Sequence, residues 1–500
     1  MEIPVKNESQ GPESVVDIWE QSMQTKSWFS QGILWLGPYL ILILAPTGLV
    51  LLTTPHPARG FWIEFGVGLG FAGLVGLCLQ FVLTARFSRV AAIYGQDAML
   101  QFHRQMGIVA AIFILIHHTL LLVVEPAFLE FLDPRAGLPR AMALTFVLIA
   151  LGLLIIPSLW RQRLGIPYEW WRLGHGLLSF AVVVIGIVHT LQVGHYTAEW
   201  WKQAFWVGLA ALTLLLILYV RVVRPLIMLR QPYRVAEVRR ERGNSWTLTL
   251  EPEGHAGMKF RAGQYAWLTL GHSPFSLQQH PFSFSSSASS PHRLEFTIKE
   301  LGDFTRTVGQ VPPGSRAYLE GPFGTFNIDL ETSGETVFIV GGIGITPIMS
   351  MLRTLRDRGD RRPLVFIYAV NHLADALFRE ELEELKQHLN LCLIYVIAYP
   401  EEGWEGERGF ITDEMLKRHL PSPEHGACEY FICGPGPMMT IVERALVTQG
   451  VPLHNIHAER FDIGAAAETG IRQKQLRNLA IGLGLAMAGI VALFALLRHL

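Results

Sequence analysis

Four cysteines are all the chain has in 500 residues, and Cys78, Cys392, Cys428 and Cys433 make no Cys-x-x-Cys pair and no metal spacing. That scarcity excludes a disulfide framework and a structural zinc site, and a reducing, cytosolic face suits the stretch that holds three of the four. Charge is equally sparse. Only 17% of residues are Asp, Glu, Lys or Arg, and they sum to a net charge of -1. Without a basic surplus there is no field to hold a phosphate backbone, so nucleic acid is not an expected partner. The first thirty residues lack the basic stretch and small-residue cleavage site of a secretory signal; they are polar and carry several acids.

What the chain has instead is apolar length. A mean hydropathy of +0.31 is high for a soluble protein, and 500 residues exceed one ordinary core. Residues 33–223 hold long runs nearly free of charge, whereas 231–475 is polar and punctuated by glycine, with the boundary near Arg230. A bilayer core needs about 20 apolar residues per helix. Such runs fall at 33–53, 61–84, 104–124, 141–160, 174–193 and 203–223, with a seventh at 478–497. Cations alternate between the loops: Arg86, Arg89 and Arg104 follow the second span, Arg161, Arg163 and Arg172 the fourth, and Arg221, Arg224 and Arg230 the sixth. The opposite loops are poorer, with Arg59, then Arg135 and Arg140 offset by Glu125, Glu130 and Asp133, then Lys202. Positive loops stay inside, so the N-terminal segment 1–32 and the whole soluble module are expected in the cytoplasm. Arg472, Lys474 and Arg477 precede the seventh span and put the last few residues outside.

Two spans share a histidine interval. The third carries His103 near its start and His117-His118 near its far end; the fifth carries His175 and His189. Both 103 to 117 and 175 to 189 are fourteen residues, which on a helix return to within about 40° of the starting direction after a rise of about 21 Å. Each helix then shows two imidazoles on one face, His103 and His175 at an inner level, His117 and His189 at an outer one. Ionisable groups within a bilayer are costly and normally serve a function, and neutral imidazole is a good axial ligand for haem iron. Two facing pairs make two bis-histidyl haems. A proton relay does not need the duplicated spacing, and a non-haem metal site would gather its ligands at one depth. His118, fifteen residues from His103, overshoots by about 60°; His117 is the favoured ligand, with His118 an outer-site residue.

After Tyr233 come short alternating runs, at 233–238, 245–250, 265–270 and 294–299, of the kind that build a small antiparallel barrel. From Thr336 the texture becomes strand, glycine turn and helix, repeated at 364–368, 391–397 and 430–433, as in a parallel α/β domain. The strand 337–340 runs into Gly341-Gly342-Ile343-Gly344-Ile345-Thr346-Pro347, where glycines let the backbone approach a diphosphate at a helix N-terminus. Cys433-Gly434-Pro435-Gly436-Pro437-Met438 follows another apolar strand at the same sheet edge. In the barrel, His280-Pro281-Phe282-Ser283 offers an aromatic face beside a hydroxyl, suited to an isoalloxazine ring. Gly302-Asp303-Phe304-Thr305 and Gly321-Pro322-Phe323-Gly324 are turns able to present N–H groups to phosphate.

In these motifs and their order, residues 33–461 resemble the ferric reductase and NADPH oxidase superfamily. The resemblance implies a multi-domain membrane protein: a six-helix transmembrane haem bundle at 33–225, an FAD-binding antiparallel β-barrel at 231–330, and a ferredoxin reductase-like NAD(P)-binding α/β domain at 335–462. One further transmembrane helix occupies 476–500. The metal ligands implied are His103, His117, His175 and His189, for two haem b. FAD is implied on the barrel, with Phe282 and Ser283 at the ring, His280 near the pyrophosphate where relatives often carry Arg, Pro281 in the same motif, and Gly302, Thr305, Gly321 and Gly324 near phosphate. NADPH or NADH is implied on the second domain, at Gly341, Gly342, Gly344, Thr346, Pro347, Cys433, Gly434 and Pro435. Phe461, Cys433 and Ser283 take the catalytic places.

Three departures from the family pattern matter. Relatives commonly end at the aromatic residue over the flavin, whereas 39 residues follow Phe461 here. Leu121 stands where animal oxidases carry another histidine, and Asn371 where NADPH-preferring relatives carry a cation. The expected activity is electron transfer from NAD(P)H to oxygen or a ferric chelate across the lipid bilayer of a bacterial inner membrane. The alternative is a reductase feeding a periplasmic protein partner or quinone. His56, Arg59, His118 and His195 are the outer-face candidates for acceptor contact.

Overall fold

A computed structural model describes residues 28–53, 57–87, 95–271, 273–330, 334–421, 428–461 and 471–499. The N-terminal segment up to residue 27, His56, Arg89 and the side chains of Arg472 and Lys474 lie outside the described residues.

The membrane half is a helical bundle: α1 (Trp28–Thr53), α2 (Phe61–Thr84), α3 (Gln96–Val124), α4 (Pro134–Trp160), α5 (Tyr168–Val193) and α6 (Trp200–Leu229, with a π-helical turn at Tyr219–Val223). Among the described residues six helices are long and apolar enough to cross a membrane: α2 to α6 and the C-terminal helix. The span expected at 33–53 lies in α1, whose described apolar stretch, Leu36–Leu52, is shorter. Several helices begin before their apolar runs; α3 starts at Gln96 and α5 at Tyr168. Helical hydrogen bonding continues into the polar residues at the interface, so His103 and His175 sit about two turns inside their helices rather than at the mouth.

The central helix is α2, and glycine makes it so. A Cβ at Gly73 would meet Ile114 of α3 at 2.7 Å, one at Gly76 would meet Ala110 at 3.2 Å, and one at Gly68 would meet Val491 of the C-terminal helix at 2.6 Å. Small residues let backbones approach where hydrocarbon offers no hydrophobic drive. By contrast α3 and α5, the helices with the histidines, barely touch each other.

The barrel strands are β1 (Tyr233–Glu241), β2 (Ser245–Pro252), β3 (Tyr265–Leu270), β4 (His280–Ser283), β5 (Leu294–Lys299) and β6 (Arg316–Phe323), in the order β4-β3-β6-β1-β2-β5. An antiparallel bridge between Phe284 and Phe296 links the two edges. Inward residues such as Val235, Leu248, Leu268, Phe284 and Phe296 are fully buried.

The last domain has an all-parallel sheet, β10-β9-β8-β7-β11-β12, built from β7 (Glu335–Gly341), β8 (Leu364–Val370), β9 (Leu391–Ile397), β10 (Glu407–Arg408), β11 (Cys428–Cys433) and β12 (Ile456–Glu459). The helices here are α7 (Asp303–Thr307) in the barrel, then α8 (Ile345–Arg358), α9 (Arg379–His388), α10 (Asp413–His419) and α11 (Gly436–Thr448). Strand order reverses at β7, with β8 on one side and β11 on the other, and such a switch point opens a crevice at the strands' C-terminal ends. The chain ends in α12 (Ile471–His499), packed against α1, α2 and α3.

Candidate redox site

Across the gap between α3 and α5 the rings of His103 and His175 stand 6.3 Å apart, centre to centre, with planes at 68°. Two axial imidazoles on one metal, each bonded at about 2 Å, put their centres about 6 Å apart. The tautomer of His175 follows from its neighbour. Ser158 gives its single proton to the carbonyl of Leu154, so its oxygen accepts from Nδ1–H of His175, at 3.3 Å, and Nε2 keeps its lone pair. Nδ1 of His103 is buried without a hydrogen-bond partner among the described residues. Trp171 lies beside His175, centres 5.3 Å apart. An apolar cavity of about 470 Å³ between α4 and α5 has Phe146, Leu153, Trp171 and His175 in its wall. These residues fit a haem.

At the other level, Nδ1–H of His117 donates to the carbonyl of Gly66 at 2.9 Å, and Nδ1–H of His118 to that of Ile114 at 3.0 Å. A carbonyl only accepts, so both rings carry the tautomer that leaves Nε2 free. The two rings are perpendicular, 5.3 Å apart, and His189 of α5 lies within electrostatic range of them. Among the described residues His189 makes no ring contact like that of the inner pair. Gly70 gives His117 its place: a Cβ there would come within 2.7 Å of the ring. No cluster of three or more His, Cys, Asp or Glu able to hold a bare metal ion occurs among the described residues.

On the barrel rim, His280 stacks on Phe304 with centres 4.1 Å apart, and Phe282 lies nearly parallel to Phe304 at 6.1 Å. Among the described residues the Ser283 hydroxyl is buried without a hydrogen-bond partner, and Nε2 of His280 has no hydrogen bond, only the Glu169 carboxylate at 3.9 Å. A buried orphan hydroxyl beside an aromatic face is a fitting hydrogen-bonding group for a flavin ring. Burial holds the His280 pKa below its ordinary value; Glu169 of α5, 3.9 Å away, opposes the shift. The turn at 302–305 is closed by its own side chain. The Thr305 hydroxyl accepts from the N–H groups of Leu301 and Gly302, both at 2.8 Å, and donates to the Gly302 carbonyl at 3.0 Å. The Leu301 and Gly302 N–H groups are thus held by the turn's own Thr305 hydroxyl. Gly324 has φ +107° and a Cβ there would crowd Tyr265 at 3.2 Å; one at Gly321 would meet Ala266 at 3.2 Å. Pro281 pairs with Trp267 in the sheet.

In the α/β domain the two glycine motifs close on each other. A Cβ at Gly344 would lie 2.3 Å from the Cys433 carbonyl, and one at Gly341 2.7 Å from Met438 and from Pro435; Gly434 likewise abuts Met438 and Gly341. Gly342, with φ +53°, has nothing within 4 Å of where a side chain would begin, so its backbone is open to a ligand. Thr346 and Pro347 are buried in the first turn of α8, and the Thr346 hydroxyl donates to the Ile343 carbonyl at 3.2 Å. It shapes the loop rather than facing the crevice. Cys433 is also fully buried: its thiol ends an interior strand, so it is not open to a nicotinamide as the domains stand. Phe461, by contrast, is 40% exposed just beyond β12.

Nothing in the sequence marked how the barrel sits on the bundle. Glu320 of β6 receives both Arg86, at 2.8 Å, and Arg224, at 2.7 Å, from the ends of α2 and α6. Arg86 also covers the Trp267 ring at 3.8 Å, and Met99 of α3 packs among Tyr265, Trp267 and Phe323. Arg172 of α5 reaches Gln279 at 3.5 Å. These partners lie 96 to 234 residues apart, too far for any spacing rule to pair them.

Family models match three stretches: a ferric reductase-like transmembrane component over 69–187, an FAD-binding domain over 232–326 and an oxidoreductase NAD-binding domain over 338–444. This is the ferric reductase and NADPH oxidase type of architecture. The chain thus joins FAD- and NAD-binding domains to a bundle whose helices are long and apolar enough to cross a membrane. Among curated proteins, the reductase component of propane 2-monooxygenase from Rhodococcus jostii is 31% identical over 224 residues, 43% of this chain and 59% of that one. NADH-cytochrome b5 reductase 1 from Laccaria bicolor is 33% identical over 168 residues, 33% of this chain and 54% of that one. The chain spans about half the length of the curated relatives it matches. Among solved structures, the FAD/NAD-binding domain of nitric oxide dioxygenase from Vibrio cholerae is 22% identical with a TM-score of 0.41, covering 46% of this chain and 98% of that one.

Proposed function

We propose that the chain takes electrons from NADPH or NADH on the cytoplasmic side of a bacterial inner membrane and delivers them to an acceptor outside, oxygen or a ferric chelate. When bound, FAD divides a two-electron hydride into single electrons, and two b-type haems carry these through the apolar span. The reading rests on one observation: His103 and His175 face each other 6.3 Å apart between helices that otherwise barely meet, on the helix whose Glu169 abuts His280 of the barrel rim. Glu169 precedes His175 by six residues, about 9 Å along a helix, so the flavin rim and the inner imidazoles are neighbours.

The residues divide the work. Ser158 and Gly66 hold the imidazoles in the tautomer that ligates, Ser283 and Phe282 seat and hydrogen-bond a flavin ring, and the opposed glycine loops admit a dinucleotide backbone. Glu320, Arg86 and Arg224 keep barrel and bundle in register. The cation-rich loop ends lie on the barrel side, which supports a cytoplasmic module.

Purified protein should show a two-haem absorption spectrum that reduces on addition of NADH or NADPH, with superoxide or ferrous iron formed when oxygen or a ferric chelate is supplied. Replacing His175 by Leu should abolish one haem; unchanged haem content would defeat the ligand assignment. A second reading, a reductase for a protein partner or quinone, is favoured by curated relatives named as reductase components. It predicts haem that reduces and then waits for an added partner.

A further inference from the structure

At the end of the bundle away from the barrel, Glu64 of α2 is fully buried. Its Oε1 accepts from the phenol of Tyr196 at 2.9 Å and from the backbone N–H of Arg59 at 3.1 Å. Its Oε2 stands 3.6 Å from Nε of Arg498, near the end of α12. A carboxylate out of water is costly unless paired and hydrogen-bonded, and here α2, the loop after α5 and α12 converge to meet that requirement.

Two of those three segments also reach the outer histidines or their chain neighbours. Gly66, which accepts from His117, lies two residues from Glu64, about 3 Å of helical rise. Gly70 on the same helix makes room for the His117 ring. Tyr196 sits just beyond α5, and the neighbouring Thr197 hydroxyl donates to the carbonyl of Thr190, next to His189, at 3.0 Å.

We propose that the Glu64–Arg498 pair positions and electrostatically tunes the outer haem, which makes α12 part of the electron exit. The inference rests on the function proposed above. A negative charge near an iron centre favours the ferric state and lowers its reduction potential, and the arginine offsets part of that effect. The inner pair lies about 21 Å further along the helices, so the influence is confined to one haem.

Potentiometric titration of purified full-length protein, followed by haem absorbance, tests this. Glu64→Gln should raise the midpoint of one haem and leave the other unmoved, and Arg498→Lys should keep both midpoints at their wild-type values. Should Glu64→Gln fail to assemble, Tyr196→Phe keeps the carboxylate and removes one donor to it; the same midpoint should then fall. An unmoved outer midpoint in the variant that holds both haems, an equal shift of both haems, or an Arg498→Lys shift as large as that of Glu64→Gln overturns the inference. Wild-type protein free of haem would instead overturn the function on which it rests, so the two failures are distinct.

Discussion

A histidine ligand is oriented when a hydrogen bond holds one nitrogen and leaves the other in space, and the outer level offers two residues held in this way. His117 is held by Gly66 on a neighbouring helix, His118 by Ile114 within its own. The first contact fixes the ring relative to α2, so His117→Leu should halve haem content per protein while His118→Leu leaves it intact, read by haem extraction and quantitation. The reverse pattern would transfer the ligand role. Gly70 provides an independent check. Alanine there would meet the His117 ring at 2.7 Å, inside contact distance, and should cost the same haem without replacing any ligand. Retention of both haems in Gly70→Ala would show that the ring can move aside.

At the level of elements, the contact between β6 and the ends of α2 and α6 depends on one carboxylate shared by two arginines. Removing the carboxylate leaves two half-buried arginines without their counter-charge. Misplacing the barrel by even an ångström can slow a transfer step by roughly 10- to 100-fold. Glu320→Gln should therefore leave flavin reduction by NAD(P)H near wild type and slow haem reduction by that order, in stopped-flow spectroscopy. Equal slowing of both phases would mean the barrel itself was damaged. A second ionic contact joins β10 to α10. Hydrogen bonding from His419, then Arg418, holds the Glu407 carboxyl below its ordinary value of 4.5. A depressed carboxylate stabilises the fold above its unfolded pKa and loses that contribution as pH falls through the folded one. The α/β domain should accordingly lose thermal stability below about pH 4.5, and Glu407→Gln should flatten that slope in calorimetry.

For the whole molecule the decisive question is which way the bundle faces. Of the four cysteines only Cys392, in the α/β domain, is exposed; Cys78, Cys428 and Cys433 are buried. An impermeant maleimide should label Cys392 in inverted membrane vesicles and spare it in intact spheroplasts. Labelling from the outside would reverse the orientation and with it the direction of electron flow.

Composition and period decided much of this architecture before any folding. Apolar runs of bilayer length, the fourteen-residue histidine interval on two helices and glycine turns between strand and helix are local patterns, and local patterns are readable because backbone geometry repeats along the chain. The sequence could not show which distant groups would consume each other's hydrogen bonds. Thr305 closes its own turn, Cys433 ends in an interior strand, Glu320 collects arginines from two helices, and Glu64 draws Arg498 across the bundle. Such choices depend on burial and on three-dimensional proximity, where an unmet polar group must find whatever partner the packing brings within about 3 Å, and only the tertiary structure supplies that neighbour.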